Sequence, residues 1–506
     1  MLKKISVLAL AGVLTLPAAA LAADAGLEAK IEALSKQLSE LKAQMEANKQ
    51  EQEKKNATIE ESAVSWNHAA RFNWSGDFRS RYDYFSRDRY QTANTQVTEK
   101  NDSLMTNRLR LNMYARALEN VEFAGRLAMY KAWGMQNTPD TTAGPFGGFP
   151  AIDGNSGRQP SDNALLVDRA VVNWNNINDT NFWFSIGRRP TTDGPPSQLK
   201  MNEDQRLATP VSYMDWPFDG LTIGYAYDKL FNAIDLPGRI RFCYGRGFEA
   251  GLGNDQFNTI DDTDFLGISW DIYNQGDRFV YLQSYIAMDV FNYPDMDSSI
   301  VQALAPINPR DNIGDIYHTS ALYKDKWENL NYFIAGAWSR SDPNSKGMFN
   351  DPVAMMMGGA PNTDSENGYS VYLGARYDIP KSQFKFGVEY NYGSEYWIGM
   401  SPGHDDMYAS KLATRGHVYE VYGIYDLPGR AASWLGKAFI RVGYQHYRYD
   451  YTGSLDWNMR PYDLDSATDR AMVEALTAAL DGPMAGFAPL MVDSADQVYV
   501  TFETKF

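Results

Sequence analysis

The sequence predicts an all-β fold, a closed antiparallel barrel of about sixteen strands preceded by a short α-helical coiled coil. Three observations predict it. From residue 71 onward, apolar and polar residues alternate with period two, as they do in strands that present a different face to each side. The segments between these strands alternate short and long along the chain. Finally, the chain ends on residues 498–506, V-Y-V-T-F-E-T-K-F, with Val498, Val500, Phe502, Thr504 and Phe506 on one strand face and Tyr499, Thr501, Glu503 and Lys505 on the other. A terminal strand has no further chain to cover its edge, and pairing it with the first strand closes a barrel.

The 506 residues are 13% aromatic, carry one cysteine and have a net charge of -16. No apolar run of about 20 residues follows the N-terminus, which excludes a bundle of membrane helices. Barrel strands escape that exclusion because only every second residue need be apolar. The acidity argues against nucleic acid as a partner. Cys243 has no second cysteine to pair with, so the strand ladder must supply the stability.

In chain order, residues 1–22 read as a signal peptide: Lys3 and Lys4, an apolar run over 5–16, and the small-x-small site Ala20-Leu21-Ala22. The mature chain then begins at Ala23 and is exported. Residues 23–65 hold a coiled coil and a polar linker. Leu27, Ile31, Leu34, Leu38, Leu41 and Met45 are spaced 4, 3, 4, 3, 4, an a/d seam flanked by Glu and Lys. Three heptads are marginal for a free helix, so the seam calls for partner chains, the alternative being a lone amphipathic helix lying on the barrel. The barrel occupies 66–506.

Its first strand, 72–84, sets Phe72, Trp74, Phe78, Tyr82 and Tyr84 against Asn73, Asp77, Arg79, Arg81 and Asp83. The second, 107–118, sets Leu109, Leu111, Met113 and Ala115 against Arg108, Arg110, Asn112, Tyr114 and Arg116. Further strands are expected near 121–132, 167–175, 181–189, 220–228, 238–247, 263–273, 278–291, 314–324, 328–340, 367–378, 383–393, 416–426, 437–449 and 497–506. Long connections fall at 85–106, 133–166, 190–219, 248–262, 292–313, 341–366, 394–415 and 450–496, with a small helix expected over 468–480. One face of these strands is charged, and the other is a continuous aromatic and aliphatic band that includes the terminal Phe506. Lipid outside and water inside is the consistent assignment, so the barrel is predicted to be transmembrane.

The terminal Phe506 strand, Gly187-Arg188-Arg189-Pro190 and the strand and loop pattern make the chain resemble bacterial outer-membrane porins, of the type with an N-terminal periplasmic coiled coil. The resemblance implies a channel for passive diffusion of small hydrophilic solutes and ions, in the outer membrane of a Gram-negative bacterium. It further implies contact with membrane lipid and lipopolysaccharide, delivery by the barrel-assembly machinery through the Phe506 strand, and a homotrimer joined through Leu27, Ile31, Leu34, Leu38 and Leu41. In sixteen-stranded porins the third long loop, here 190–219, folds into the lumen. Asp193, Glu203, Asp204, Asp215 and Asp219 are the candidates for its acidic lining.

By parity, Arg79, Arg81, Arg108, Arg110, Arg116, Arg126, Arg169 and Arg189 point inward as a basic wall, and Asp271, Asp289, Glu389 and Glu420 point inward from later strands. Guanidinium groups keep their charge and offer a rigid fork of donors. Facing acids across the bore, they set up a transverse field that orders water and disfavours bulky uncharged solutes. A second reading is an anion-selective or substrate-specific channel, for example for phosphate, ranked lower because Lys200 is the one lysine in the third long loop. A third is a structural barrel that tethers or sheathes a partner. The five histidines are scattered, with no Ser or Cys partner at recognisable spacing, so no catalytic residues, metal site or cofactor are expected.

Overall fold

The computed structural model describes residues 72–134, 160, 163–189, 194–203, 213–215, 218–229, 236–250, 261–292, 311–401, 405–433, 436–479 and 489–506, together with Lys36, Ser39, Lys42 and Glu46. Those four are helical. The expected signal peptide over 1–22 and the expected coiled-coil seam lie outside the described residues. The chain divides into two units, Met1–Ala70 and Arg71–Phe506, and the second of them is the barrel.

Among the described residues, sixteen strands form it: β1 (Phe72–Thr92), β2 (Thr95–Leu118), β3 (Val121–Ala132), β4 (Leu166–Trp174), β5 (Phe182–Arg189), β6 (Phe218–Tyr227), β7 (Gly238–Phe248), β8 (Thr263–Gln275), β9 (Arg278–Phe291), β10 (Asn312–Trp327), β11 (Leu330–Pro343), β12 (Asn367–Asp378), β13 (Phe384–Gly393), β14 (Gly416–Asp426), β15 (Lys437–Tyr449) and β16 (Val492–Lys505). Each pairs with its sequence neighbours, and β16 returns to β1 to close the barrel. Closure is antiparallel, with Ser80 opposite Phe502 and Tyr82 opposite Val500. The last residue is sewn in as well: Gly76 donates to the Phe506 carbonyl at 2.7 Å and the Phe506 N–H donates to the Gly76 carbonyl at 2.9 Å.

One long connection expected from the sequence is a hairpin instead. Residues 85–106 continue β1 and β2 to a turn at Ala93-Asn94. Alternation fades there because both faces are polar; the ladder is held by cross-strand pairs such as Arg87 with Glu99 at 2.6 Å and Arg89 with Glu99 at 2.7 Å. The hairpin tip packs against α1 (Ala467–Ala479). There Glu474 accepts from the Ala93 N–H at 2.8 Å, and the Arg470 guanidinium lies 4.6 Å from the centre of the Tyr90 ring.

Parity decides the two faces of the wall. Outward positions are apolar and exposed around the whole circumference, among them Val172, Ile186, Ile223, Phe242, Ile268, Ile334, Val388, Val421, Val442 and Val500. Aromatic residues gather at the short-turn end of the same face, with Trp74, Trp174, Phe182, Tyr225, Trp327, Tyr377, Phe384 and Phe506 all exposed. A second aromatic group, Tyr317, Trp338, Tyr369, Tyr419 and Tyr444, lies toward the other end. Inward positions carry the charges: Arg79, Arg81, Asp83, Asp271, Glu389, Glu420 and Arg441 are all at most 4% exposed.

Inside, small residues make room for large ones. Gly443 stands directly opposite Tyr499, and Gly224 opposite Trp183. A Cβ on Gly443 would fall 2.2 Å from the Tyr499 ring, and one on Gly224 2.3 Å from the Trp183 ring. Each glycine is therefore the floor on which an aromatic side chain from the next strand lies flat, a pairing that fixes strand register.

Candidate functional site

Among the described residues, two inward loops shape the lumen, of which the sequence reading anticipated one. The third long connection does enter: Gln198, Leu199, Lys200, Met201 and Asn202 are all buried. It reaches the opposite wall, where Arg376 donates to the Leu199 carbonyl at 2.7 Å and Lys437 to the Asn202 carbonyl at 3.0 Å. Lys200 lies 2.7 Å from Glu420 and 3.2 Å from Asp406. A loop that passes its carbonyls to strand-borne cations is held along its backbone, whatever its own side chains are.

The connection between β13 and β14 is the unexpected one. Trp397, Ile398, Met400, Leu412 and Arg415 are at most 1% exposed. Its run Tyr396-Trp397-Ile398-Gly399-Met400 is too apolar for a loop in water, and that was the available signal. It joins the third connection directly, with the Met400 N–H donating to the Tyr213 carbonyl at 3.1 Å and the Asp215 N–H to the Met400 carbonyl at 2.7 Å.

This second loop delivers Asp405 to the basic wall. Its carboxylate is within ion-pairing reach of Arg79, of Arg108 at 3.3 Å, of Arg441 at 3.4 Å and of Arg81 at 3.9 Å. Burial opposes the charge, but Arg79, Arg108, Arg441 and Arg81 outweigh it and hold the Asp405 carboxyl well below the usual carboxylate range. Lys411, on the same loop, bonds Glu389 and lies 2.6 Å from Glu420. Its burial is likewise outweighed, by Glu389 and Glu420, and its pKa stands well above that of a free lysine.

Arg79, Arg81, Arg108, Arg110 and Arg126 all point inward and are buried. Their partners are mainly acids on the same or the adjacent strand and Asp405: Arg81 bonds Asp83 of its own strand at 2.8 Å, Arg110 bonds Asp77 at 2.8 Å, and Arg126 bonds Asp168. Arg169 also faces in, beside Asp168, because a bulge opposite Arg126 and Leu127 lets two successive residues of β4 share that side. Arg116 is exposed at the short-turn end of β2 and is no part of the buried wall.

The acids are more dispersed than predicted. Glu203 pairs with Lys505 near the short-turn end. Asp215 is buried where the two inward loops meet. Asp219 is a correction: it belongs to β6, on the outward face with Ile223, and pairs with Arg188 at 3.6 Å. Asp193 and Asp204 lie outside the described residues. Asp289 is a second correction; its φ of 55° breaks the alternation of β9 and leaves it exposed, while Val290 is buried.

Among the described residues, an open space lies along β4–β9. It is a cavity of about 450 Å³ lined by Arg169, Arg189, Arg239, Arg241, Thr222 and Phe265, among others. Asp271 engages both Arg239 and Arg241, the latter at 2.7 Å. Arg189 instead donates to the Ser185 carbonyl at 2.9 Å, the Gly220 carbonyl at 3.1 Å and the Thr222 hydroxyl.

The family model described as Protein of unknown function (DUF3373) matches residues 98–506. The chain belongs to this family. The DUF3373 match spans every strand from β3 to β16 and nearly all of β2. No curated protein matches the chain. Among solved structures it is similar to the anion-selective porin from Comamonas acidovorans, at 11% identity and a TM-score of 0.42, covering 86% of this chain and 99% of that one. It is also similar to Salmonella typhi OmpF in complex with daunomycin, at 10% identity and a TM-score of 0.40, and to outer-membrane expressed OmpT of Vibrio cholerae, at 10% and 0.39; each comparison covers 86% of this chain and 97% of the other. The strand count and closure of this DUF3373 barrel stand on its own pairing ladder.

Proposed function

We propose that the chain is an outer-membrane channel that passes small hydrophilic solutes and ions by diffusion. The observation that carries this reading is the inverted barrel: an apolar, aromatic-edged exterior around a charged interior that keeps an open cavity along β4–β9. Such an exterior is at home in hydrocarbon, and the charged interior retains water. Export by a signal peptide over 1–22, assembly through the Phe506 strand, contact with lipopolysaccharide, and trimerisation through Leu27, Ile31, Leu34, Leu38 and Leu41 belong to the same proposal.

A preference for anions is favoured by one specific feature. The open side is lined by four arginines, Arg169, Arg189, Arg239 and Arg241, of which Arg239 and Arg241 share the single carboxylate Asp271 and Arg189 has only neutral acceptors among the described residues. A residual positive lining raises the local concentration of anions. Planar-bilayer recording of the purified full chain tests both readings. Stepwise conductance is expected, with a reversal potential in a potassium chloride gradient on the chloride side; a sealed bilayer overturns the channel, and a cation-side reversal potential overturns the anion preference.

A further inference from the structure

The cavity along β4–β9 is two-sided. On the β5–β7 side, Arg189 lies on neutral acceptors only, the Ser185 and Gly220 carbonyls and the Thr222 hydroxyl, and among the described residues none of its partners is a carboxylate. Arg241 shares Asp271 with Arg239, and its Nε is buried without a partner among the described residues. On the β8–β9 side stand Phe265 and Tyr285, their ring centres 6.0 Å apart, with the Phe218 ring tilted at 39° and 4.5 Å from Phe265 and Met214 alongside. Tyr285 is 7% exposed and its hydroxyl is also buried without a partner among the described residues.

An unpartnered buried donor on a residue that lines the cavity, the Arg241 Nε, is costly unless something accepts from it. The acceptor must be anionic to suit Arg189, and its body must be apolar to suit Phe265, Phe218 and Met214. An inorganic oxyanion satisfies the first condition and leaves the second side without contact.

We infer that this cavity is a binding station for small organic carboxylates with an apolar or aromatic body. The carboxylate accepts from Arg189 and Arg241 while the body lies against Phe265 and Tyr285, within the roughly 450 Å³ available. The inference rests on the channel reading for its transport meaning; binding itself does not depend on conduction. A station of this kind sits on the path and must release what it admits, so affinity in the millimolar range suits it.

Benzoate is the probe. With the full chain in planar bilayers carrying potassium chloride, benzoate is expected to reduce the current saturably, at a concentration at least tenfold below that needed with acetate or inorganic phosphate. Arg189→Gln is expected to raise the half-blocking benzoate concentration about tenfold, with Arg189→Lys recovering part of it. Phe265→Ala is expected to weaken benzoate and leave acetate unaffected. Arg246→Gln, on the outward face of β7, serves as the control and leaves block unchanged. Equal potency of the three anions, or an Arg189→Gln channel blocked like the parent, overturns the station. Calorimetric titration of the detergent-solubilised protein with benzoate separates the two failures: heat of binding in a protein that forms no channel keeps the station and removes the transport reading, and absence of binding in a conducting protein does the reverse.

Discussion

The carboxylate of Asp405 lies 3.3 Å from the guanidinium of Arg108, although the two are almost 300 residues apart and belong to a loop and a strand on different sides of the barrel seam. Asp405 is the point at which the β13–β14 connection is fastened to the basic wall, with Arg79, Arg81 and Arg441 as further partners. Removing one member of a buried charge cluster leaves the others uncompensated and costs about 3–5 kcal/mol. Asp405→Ala is therefore expected to loosen the loop, to raise single-channel conductance and to move selectivity toward anions, since the freed arginines then face the bore. Conductance steps no larger than those of the parent refute this anchoring role.

The same contact predicts insensitivity to moderate acid. The Asp405 pKa is depressed, so its stabilising contribution is complete above the unfolded carboxyl value of about 3.9 and is lost only as pH falls through the lower folded value. Lys411 behaves in the opposite sense: its raised pKa keeps its contribution complete below about 10.4 and loses it only above that. Conductance and tryptophan fluorescence are expected to stay level from pH 5 to 9. A transition near neutrality would show that neither contact holds the loop.

Gly443→Val is expected to destabilise the barrel, by about 1–3 kcal/mol for forced overpacking. The added side chain occupies the place of the Tyr499 ring, over which Arg81 lies at 4.6 Å and whose hydroxyl bonds Glu420 at 2.7 Å. The measurement is the urea midpoint of refolding into lipid vesicles; Gly423→Val, where Phe386 is the nearest neighbour at 3.5 Å, is the milder comparison.

Val442→Arg tests the exterior. Val442 is outward, 47% exposed and opposite Val500. A charge at mid-depth in lipid costs about 2–4 kcal/mol, so vesicle insertion is expected to weaken by that amount, whereas a water-facing exterior predicts a change near zero.

Much of this architecture was legible along the chain. The 278–291, 367–378, 416–426 and 437–449 strands run to the same residues in the sequence and in the fold, because a strand with one apolar and one polar face cannot slip by one residue without inverting every side chain. The same parity placed Arg79, Arg81, Arg108, Arg110 and Arg126 inside. It failed where that two-faced pattern lapses: in the β1–β2 hairpin, whose outer half is polar on both faces, and at Asp219 and Asp289, near strand ends.

Sequence alone thus determined the strand set, the inward and outward faces and the return of β16 to β1, since each follows from period-two patterning that neighbouring residues carry themselves. Only the tertiary structure decided which acids meet which arginines, that the β13–β14 connection meets the third long connection at Met400 and Tyr213, and that among the described residues a cavity is left along β4–β9. Those outcomes depend on contacts such as Asp405 with Arg79 and Lys200 with Glu420, between residues hundreds of positions apart, and no local pattern encodes the distance between two groups that only the closed barrel brings together.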